Sequence, residues 1–307
     1  MIGVIGDVVQ DVVVWQLESV RHATDTQSEV RTQRGGSAAN VAAFAAPRYP
    51  TRFIGCVGDD LGGWVLTQEL QQRGVDVRLQ VRGNTGTIVV LIDRSGERLM
   101  FPSRGACTML EAIDPSWLDD LEILHITAYS FDGGSTPQTV RDALAEHRRR
   151  GGRVSMDVSS IGMIEHFGLT TFLELMDECR PDLISANRDE SRHLGLCDAD
   201  TPGHNLARFG AAVLLARQGK DATNVFRGGR HHATVPVAPV EEVRDLTGAG
   251  DAFNAGFLAS YLTSGGNLVK SCLAGHALSA RVLQCPGASE PPLVAVTSAS
   301  STSPANA

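Results

Sequence analysis

The run Asp245-Leu246-Thr247-Gly248-Ala249-Gly250-Asp251-Ala252-Phe253 sets two glycines and small residues between two carboxylates. An apolar series, Phe253, Ala255, Gly256, Phe257 and Leu258, follows at helical spacing. This pattern predicts a loop turning into a buried helix whose first backbone N–H groups lack partners. Together with the positive end of the helix dipole, such groups form a ready site for a phosphate. An aspartate inside an anion site repels the anion, so Asp251 needs a chemical reason to be there. It has one if it accepts the proton of a hydroxyl that attacks the same phosphate. The same residues also fit a plain tight turn with an N-capping aspartate.

Three further stretches carry chemistry. In Gly35-Gly36-Ser37-Ala38-Ala39-Asn40, two glycines let the backbone approach a ligand and a helix starts on small residues. Asn40 then offers a donor and an acceptor to a polyol. A simple glycine turn capping a helix has the same pattern. Asn187 and Glu190 lie three apart after a strand, on one face of a new helix. They are hard oxygen ligands of the kind that hold Mg²⁺ through its waters, and equally the two ends of a capping box. Asp7 and Asp11 follow the first apolar strand, where a carboxylate can bind sugar hydroxyls or sit in a solvated loop.

The elements that must position these residues alternate. Strand-like runs at Ile2–Ile5, Thr51–Val57, Ile123–Ile126, Arg153–Asp157, Leu183–Ala186 and Ala212–Ala216 are interleaved with helical patterns. The helical patterns are Ala38–Ala45, Gly63–Arg73, Thr136–Arg150, Leu169–Glu178 and Asn254–Leu262. The alternation predicts an α/β fold: a doubly wound, mostly parallel sheet flanked by helices, with ligands beyond the strands' carboxyl ends. Thr85–Ile92 and Glu97–Arg104, joined by the turn-forming Asp93-Arg94-Ser95-Gly96, break the rhythm as a hairpin. Val8–Val14 and Glu29–Gln33 can pair with it. The expected organisation is one domain over 1–288 with a small β-sheet lid drawn from about 8–34 and 84–105. A tail over 289–307, rich in Ser, Pro, Ala and Thr, is expected to be disordered.

The chain's 307 residues suffice for a sizeable core, and its net charge of −8 argues against nucleic acid or an anionic membrane as the main partner. The six cysteines are scattered without a C-x-x-C pair, as expected of free thiols in a reducing cytoplasm. No signal-like or membrane-spanning apolar run is visible, so a cytoplasmic location is expected. His147-Arg148-Arg149-Arg150 reads as a solvated helix end, and His231-His232 as part of a surface hairpin. There is no G-x-x-x-x-G-K-[ST], no G-x-G-x-x-G after the first strand and no G-x-S-x-G, which disfavours P-loop, dinucleotide-binding and serine-hydrolase chemistry.

Taken together, Thr247–Phe253, Gly35–Ala42, Val57-Gly58-Asp59-Asp60-x-x-Gly63 and Asn187-x-x-Glu190 resemble the motifs of the ribokinase-like (PfkB) family of carbohydrate kinases. Order and spacing agree from Ile2 to Gly287. The resemblance implies Asp251 as catalytic base and Gly248, Ala249 and Gly250 as the anion hole. It implies Asp11, Gly35, Gly36 and Asn40 as sugar contacts, and Asn187 and Glu190 as organisers of Mg²⁺ around ATP. Gly219 and His276 fall near the nucleotide, and Asp245 and Thr247, with backbone near Gly287, where family members bind a K⁺-like ion. The family also contains lid-mediated homodimers.

The stretch Arg217-Gln218-Gly219-Lys220-Asp221-Ala222-Thr223 departs from the pattern, lacking the usual Thr before its glycine. Leu246 and Cys285 also replace commoner residues, which weakens the monovalent-ion site. The expected activity is transfer of the γ-phosphate of ATP to a primary hydroxyl of a ribose-like pentose or a hexose. Arg104, at the end of the lid hairpin, leaves an acidic or phosphorylated sugar open, against a solvated lid residue. A nucleoside kinase is a further option, although aromatic residues are only 5% of the chain. An inactive sugar-binding regulator on the same fold is the reading from another class, ahead of a nicotinamide-dependent dehydrogenase.

Overall fold

Adjacent residues on the central strands face opposite ways, and here both ways are apolar. Val4, Phe53, Ile123, Leu183 and Leu215 enter one core, while their neighbours Ile5, Ile54, Leu124, Ile184 and Leu214 enter another. That double burial is what a parallel sheet covered on both faces requires. The protein is described from a computed structural model over residues 1–95 and 97–291. The expected disordered tail lies, from residue 292 on, outside the described residues, as does Gly96 of the expected turn.

In chain order the first strands are β1 Ile2–Ile5, β2 Val9–Gln16, β3 Ser28–Gly35, β4 Thr51–Val57, β5 Asp76–Val81, β6 Gly86–Ile92 and β7 Arg98–Ser103. The later ones are β8 Ile123–Thr127, β9 Arg153–Asp157, β10 Leu183–Asn187, the short pair β11 Cys197–Asp198 and β12 Thr201–Pro202, β13 Val213–Arg217, β14 Ala222–Arg227 and β15 Arg230–Pro236. Helices are α1 Ser37–Ala45, α2 Leu61–Gln72, α3 Thr136–Arg149, α4 Ile161–Phe167, α5 Leu169–Cys179, α6 Arg188–His193, α7 Ala249–Thr263 and α8 Leu268–Val282.

Among the described residues, nine strands form the main sheet in the order β15-β14-β13-β10-β9-β8-β1-β4-β5. All its pairings are parallel except the hairpin strands β14 and β15. This is the doubly wound α/β architecture expected, with element ends shifted by a residue or two. The expected helix from Asn254 instead begins at Ala249, so Asp251 stands in its first turn. Small residues bring the helices on that face together. A Cβ on Gly256 of α7 would strike the backbone of Ala274 in α8. No helix among the described residues is long and apolar enough to cross a membrane.

A second sheet, in the order β3-β2-β6-β7, stands apart from the first. Its strands match the two hairpin segments expected, and β2 runs parallel to β6 in the middle. It is tied to the main body through Asp60. That carboxylate caps α2 by accepting from Gly63 N at 2.9 Å, and accepts from Thr85 N at 2.7 Å and Thr85 Oγ1 at 2.6 Å, one residue before β6. The Asp60→Ala variant should lose about 1–2 kcal/mol of stability, the range for a helix N-cap, measured as a lowered urea midpoint. The Thr85 and Gly63 hydrogen bonds hold the Asp60 pKa below its ordinary value. The gap between wild type and variant should therefore be full near neutrality and close as pH falls through that lowered pKa.

Candidate active site

Six parallel strands, β1, β4, β8, β9, β10 and β13, end on the same edge of the main sheet, and the candidate residues gather beyond it. Register places Thr127 beside Asp157 and Asn187 beside Arg217 at those ends. Asp251 comes to the same place from above, in the first turn of α7.

Asp251 is held on both oxygens. Oδ1 accepts from Ser37 Oγ at 2.7 Å and Oδ2 from Asn40 Nδ2 at 2.9 Å, both on α1. The Asn40 amide is fixed in turn, because its Oδ1 accepts from Arg34 Nε at 3.1 Å. Arg34 is buried, pairs with Glu69, and donates to the Ala288 carbonyl at 3.1 Å. Burial pushes the Asp251 carboxyl up to about 7, against the pull of the Ser37 and Asn40 hydrogen bonds; Asp157 and Asp7 push the same way. A carboxylate in this range can take a proton near neutral pH and hold it.

The loop before Asp251 supplies donors. Gly248 caps α7 with φ +78°, a conformation that suits glycine. Ala249 N turns back to Leu246 O at 3.3 Å, while the amides of Gly248, Gly250 and Asp251 donate to no protein acceptor among the described residues. The open donors are thus Gly248, Gly250 and Asp251 itself, with Ala249 turned inward.

Asp7 and Asp11 separate into two jobs. Asp7 is buried and accepts from Ser37 N and Ala38 N, each at 3.0 Å, so it caps the start of α1. Gly36, the N-cap residue, has no side chain to do this. Asp11, on β2, lies over Gly35, where a Cβ would collide with its carboxylate. Its Oδ1 is buried without a hydrogen-bond partner. Burial and the neighbouring Asp7 push the Asp11 carboxyl up to about 6, against Arg34 and Arg104. A buried, unpaired acceptor is costly, and a ligand hydroxyl would satisfy it.

Arg104 is no solvated residue of the small sheet. Nε lies 2.9 Å from Asp132 Oδ2 and the guanidinium stands 5.0 Å over the Tyr129 ring, at the wall of the cleft near Asp7 and Asp11. Asn187 and Glu190 form the reciprocal capping box: Glu190 N donates to Asn187 Oδ1 at 2.9 Å and Asn187 N to Glu190 Oε2 at 2.7 Å. Glu190 Oε1 has no hydrogen bond among the described residues, and burial with the nearby Asp157 raises the Glu190 pKa. No group of three or more His, Cys, Asp or Glu able to hold a metal directly occurs among the described residues. The pair suits a hydrated cation that reaches Glu190 through water.

Gly219 lies in the β13–β14 turn, which Arg188 grips through Gln218 and Asp221. His276 is buried, bonded to Thr223 Oγ1 at 2.8 Å and packed 5.5 Å from the Phe253 ring. Asp245 accepts from Thr247 N, Thr247 Oγ1, Gly287 N and Arg98 Nη2, at 2.7–3.1 Å. Its neighbourhood joins the residues expected at a monovalent-ion site, with the guanidinium of Arg98 already on the carboxylate.

The comparisons follow this geometry. The family model described as pfkB family carbohydrate kinase matches residues 1–295. The chain belongs to the pfkB family of carbohydrate kinases. Like the family, it is a phosphotransferase acting on an alcohol group. A fructokinase of Klebsiella pneumoniae is 32% identical to this chain over 248 residues, 75% of the chain and 78% of that protein. An ATP-dependent ribose-1-phosphate kinase of Halopiger xanaduensis is 29% identical, with 78% of each covered. Among solved structures, a ribokinase II-type protein of E. coli in complex with ATP and Mg²⁺ matches with a TM-score of 0.80 at 21% identity. It covers 94% of both chains, which establishes the shared fold.

Sequence reasoning named neither Ser37 nor Asp157 as site residues, although both came within the stretches it examined. Asp157 ends β9 and accepts from Ser159 N at 3.1 Å, from Asn254 Nδ2 and from Arg217. An acid as the last residue of a parallel strand was the available signal.

The raised pKa of Asp251 has two measurable consequences. If it is the base, kcat/KM should rise with pH through a limb centred near 7 and level off above it. Its charge also costs stability, because the folded state binds a proton that the unfolded state, near 3.8, has lost. The cost grows from about pH 4 and is full above 7. Asp251→Asn, which keeps a partner for Ser37 and Asn40, should therefore unfold at higher urea than wild type at pH 8, with the difference vanishing toward pH 4.

Proposed function

We propose that this kinase transfers the γ-phosphate of ATP to a primary hydroxyl of a small neutral sugar, with Asp251 as the general base. The observation that carries the reading is one arrangement. A carboxylate fixed by Ser37 and Asn40 stands in the first turn of α7, beside amides without protein acceptors among the described residues, and Asp11 at the same cleft carries a buried oxygen without a partner.

Asp11 and Asn40 hold the sugar by its hydroxyls, with Gly35 and Gly36 letting the backbone come close. Asp251 takes the hydroxyl proton as the oxygen attacks phosphorus in line with the departing ADP oxygen. The amides of Gly248, Gly250 and Asp251 stabilise the charge on the transferring group. Mg²⁺, held through water near Asn187 and Glu190, supplies neutralisation of the phosphate charge when bound. The E. coli protein solved with both ATP and Mg²⁺ supports the two as the nucleotide and ion. Gly219 and His276 border the nucleotide side. The small sheet serves as the lid that excludes water and suppresses idle ATP hydrolysis.

Charge favours a neutral substrate over an acidic or phosphorylated one. The sugar side holds Asp7, Asp11, Asp132 and Asp251, and Arg104 is already committed to Asp132 and Tyr129. Potassium is left out of the proposed reaction, since Asp245 offers it no oxygen free of hydrogen-bond donors. The test is ADP release from Mg·ATP across neutral sugars, sugar acids, sugar phosphates and nucleosides, with and without K⁺. Turnover on a neutral sugar, unchanged by K⁺ and reduced roughly 10²–10⁴-fold in Asp251→Asn, is expected. Sugar binding by calorimetry without turnover would establish the inactive binder instead.

We also propose that the lid's outer face pairs with a second copy of the chain. In register, Val12, Val14, Val30, Val89, Leu91, Leu99 and Phe101 share the face opposite Asp11. Val30, Leu99 and Phe101 are more than half exposed. Such a continuous apolar sheet face is a contact surface, and its own alternation makes it self-complementary. Light scattering should show a dimer that Phe101→Glu converts to monomer; a monomeric wild type at micromolar concentration would exclude it.

A further inference from the structure

The last residue of β13, Arg217, extends its guanidinium beneath the first turn of α7. Gly250 leaves room for it there, since a Cβ at that position would collide with Arg217 Nη1 unless the arginine moved. Nη2 lies 3.2 and 3.4 Å from the two oxygens of Asp157 and 3.9 Å from Glu190 Oε2. The guanidinium carbon stands 5.9 Å from the centre of the Phe253 ring. Asp157 is itself anchored by Ser159 N and Asn254, so it aims the arginine rather than depending on it. Two parts of the fork are unused. Nε is buried without a partner, and Nη1, beside the open Gly250 amide, donates to no acceptor among the described residues. A structural ion pair needs neither a glycine opposite nor a donor left over. A guanidinium with free N–H groups among helix-start amides has the geometry for a phosphoryl oxygen.

We propose that Arg217 is a phosphoryl-gripping residue supplied by the chain itself: Nη1 donates to an oxygen of the γ-phosphoryl group seated on the Gly248, Gly250 and Asp251 amides. The inference rests on the kinase reading above. As the bond from phosphorus to the ADP oxygen breaks and the bond to the sugar oxygen forms, the sugar's proton passes to Asp251. Arg217 keeps its own protons and follows the moving charge, while Asp157 keeps the fork oriented. The two charged groups divide the reaction: Asp251 handles the proton and Arg217 the phosphoryl oxygens.

The test compares calorimetric binding of Mg·ADP with that of Mg²⁺ and the β,γ-imido analogue of ATP, in wild type, Arg217→Ala and Arg217→Lys. Loss of a charge-assisted hydrogen bond should weaken the analogue roughly 10- to 100-fold in Arg217→Ala, with Mg·ADP changed less than about threefold. On the preferred sugar, kcat should fall roughly 10²–10³-fold with KM for the sugar unchanged, and added guanidinium ion should restore part of it. Arg217→Lys keeps a cation beside Asp157 and decides the matter should the alanine variant unfold. It should retain ADP binding and lose part of the preference for the triphosphate analogue. Equal weakening of both nucleotides, or kcat within about threefold of wild type, would overturn the proposal. A wild type that prefers the triphosphate analogue through Arg217 but phosphorylates no sugar would refute the sugar-kinase reading alone. A wild type that binds neither nucleotide would refute both.

Discussion

The contact of Asp251 with Ser37 and Asn40 joins the two helices on which the cleft depends. It obliges α1 and α7 to meet at their N-terminal ends, where two positive dipole ends lie close together. Each end is met by a carboxylate: Asp7 at α1, through Ser37 N and Ala38 N, and Asp251 within α7. Small residues make the approach possible. α1 is built mainly from alanine, and the inner face of α7 presents Ala252, Ala255, Gly256 and Ala259. A larger side chain on either face would separate Asp251 from its donors before it touched any ligand. Core packing and the acid–base chemistry are therefore the same constraint seen at two distances.

Around that contact lie residues that never reach the reacting atoms. Arg34 fixes which way Asn40 presents its amide, and Glu69 and the Ala288 carbonyl fix Arg34. Reversing the Asn40 amide would set two acceptors against each other at Asp251 and two donors against each other at Arg34. Arg98 of the small sheet reaches Asp245, whose carboxylate organises the loop into α7. The small sheet and the loop leading into α7 thus share an ion pair.

Much of this was legible in the chain. Short, mostly apolar strand runs alternating with helical patterns indicated the parallel sheet, and Gly248–Asp251 and Gly35–Asn40 marked the two helix starts that meet. Other features escaped because they are made by partners far apart in sequence. Arg34 and Glu69, or Arg98 and Asp245, show no spacing that predicts their contact. The strand Asp76–Val81, at the sheet edge, is only half-buried and lacks a clear period. α8, Leu268–Val282, is continuous but carries at its middle Gly275, a poor helix former that the close packing of Phe253 requires. Arg217 was visible only as a departure from a familiar pattern. Its meaning needed the structure, because the glycine that admits it lies on another element.

The cleft is polarised along its length. On the side proposed for the sugar, Asp7, Asp11, Asp132 and Asp251 outnumber the cations, and two of these carboxyls are pushed toward neutrality, to about 6 and about 7. On the side proposed for the phosphate stand the amides at the α7 start and the Arg217 guanidinium. A hydroxyl is drawn to the first region as a donor, and a phosphoryl group to the second as an acceptor. On the proposed reading Asp251 stands where the two meet, and its charge opposes the phosphate until it takes the proton. In the reaction we propose, proton transfer removes the repulsion at the moment the new bond forms, so the barrier to approach and the barrier to chemistry fall together. On the same reading the raised pKa of Asp251 serves that exchange, and its cost is borne as lost stability above neutral pH.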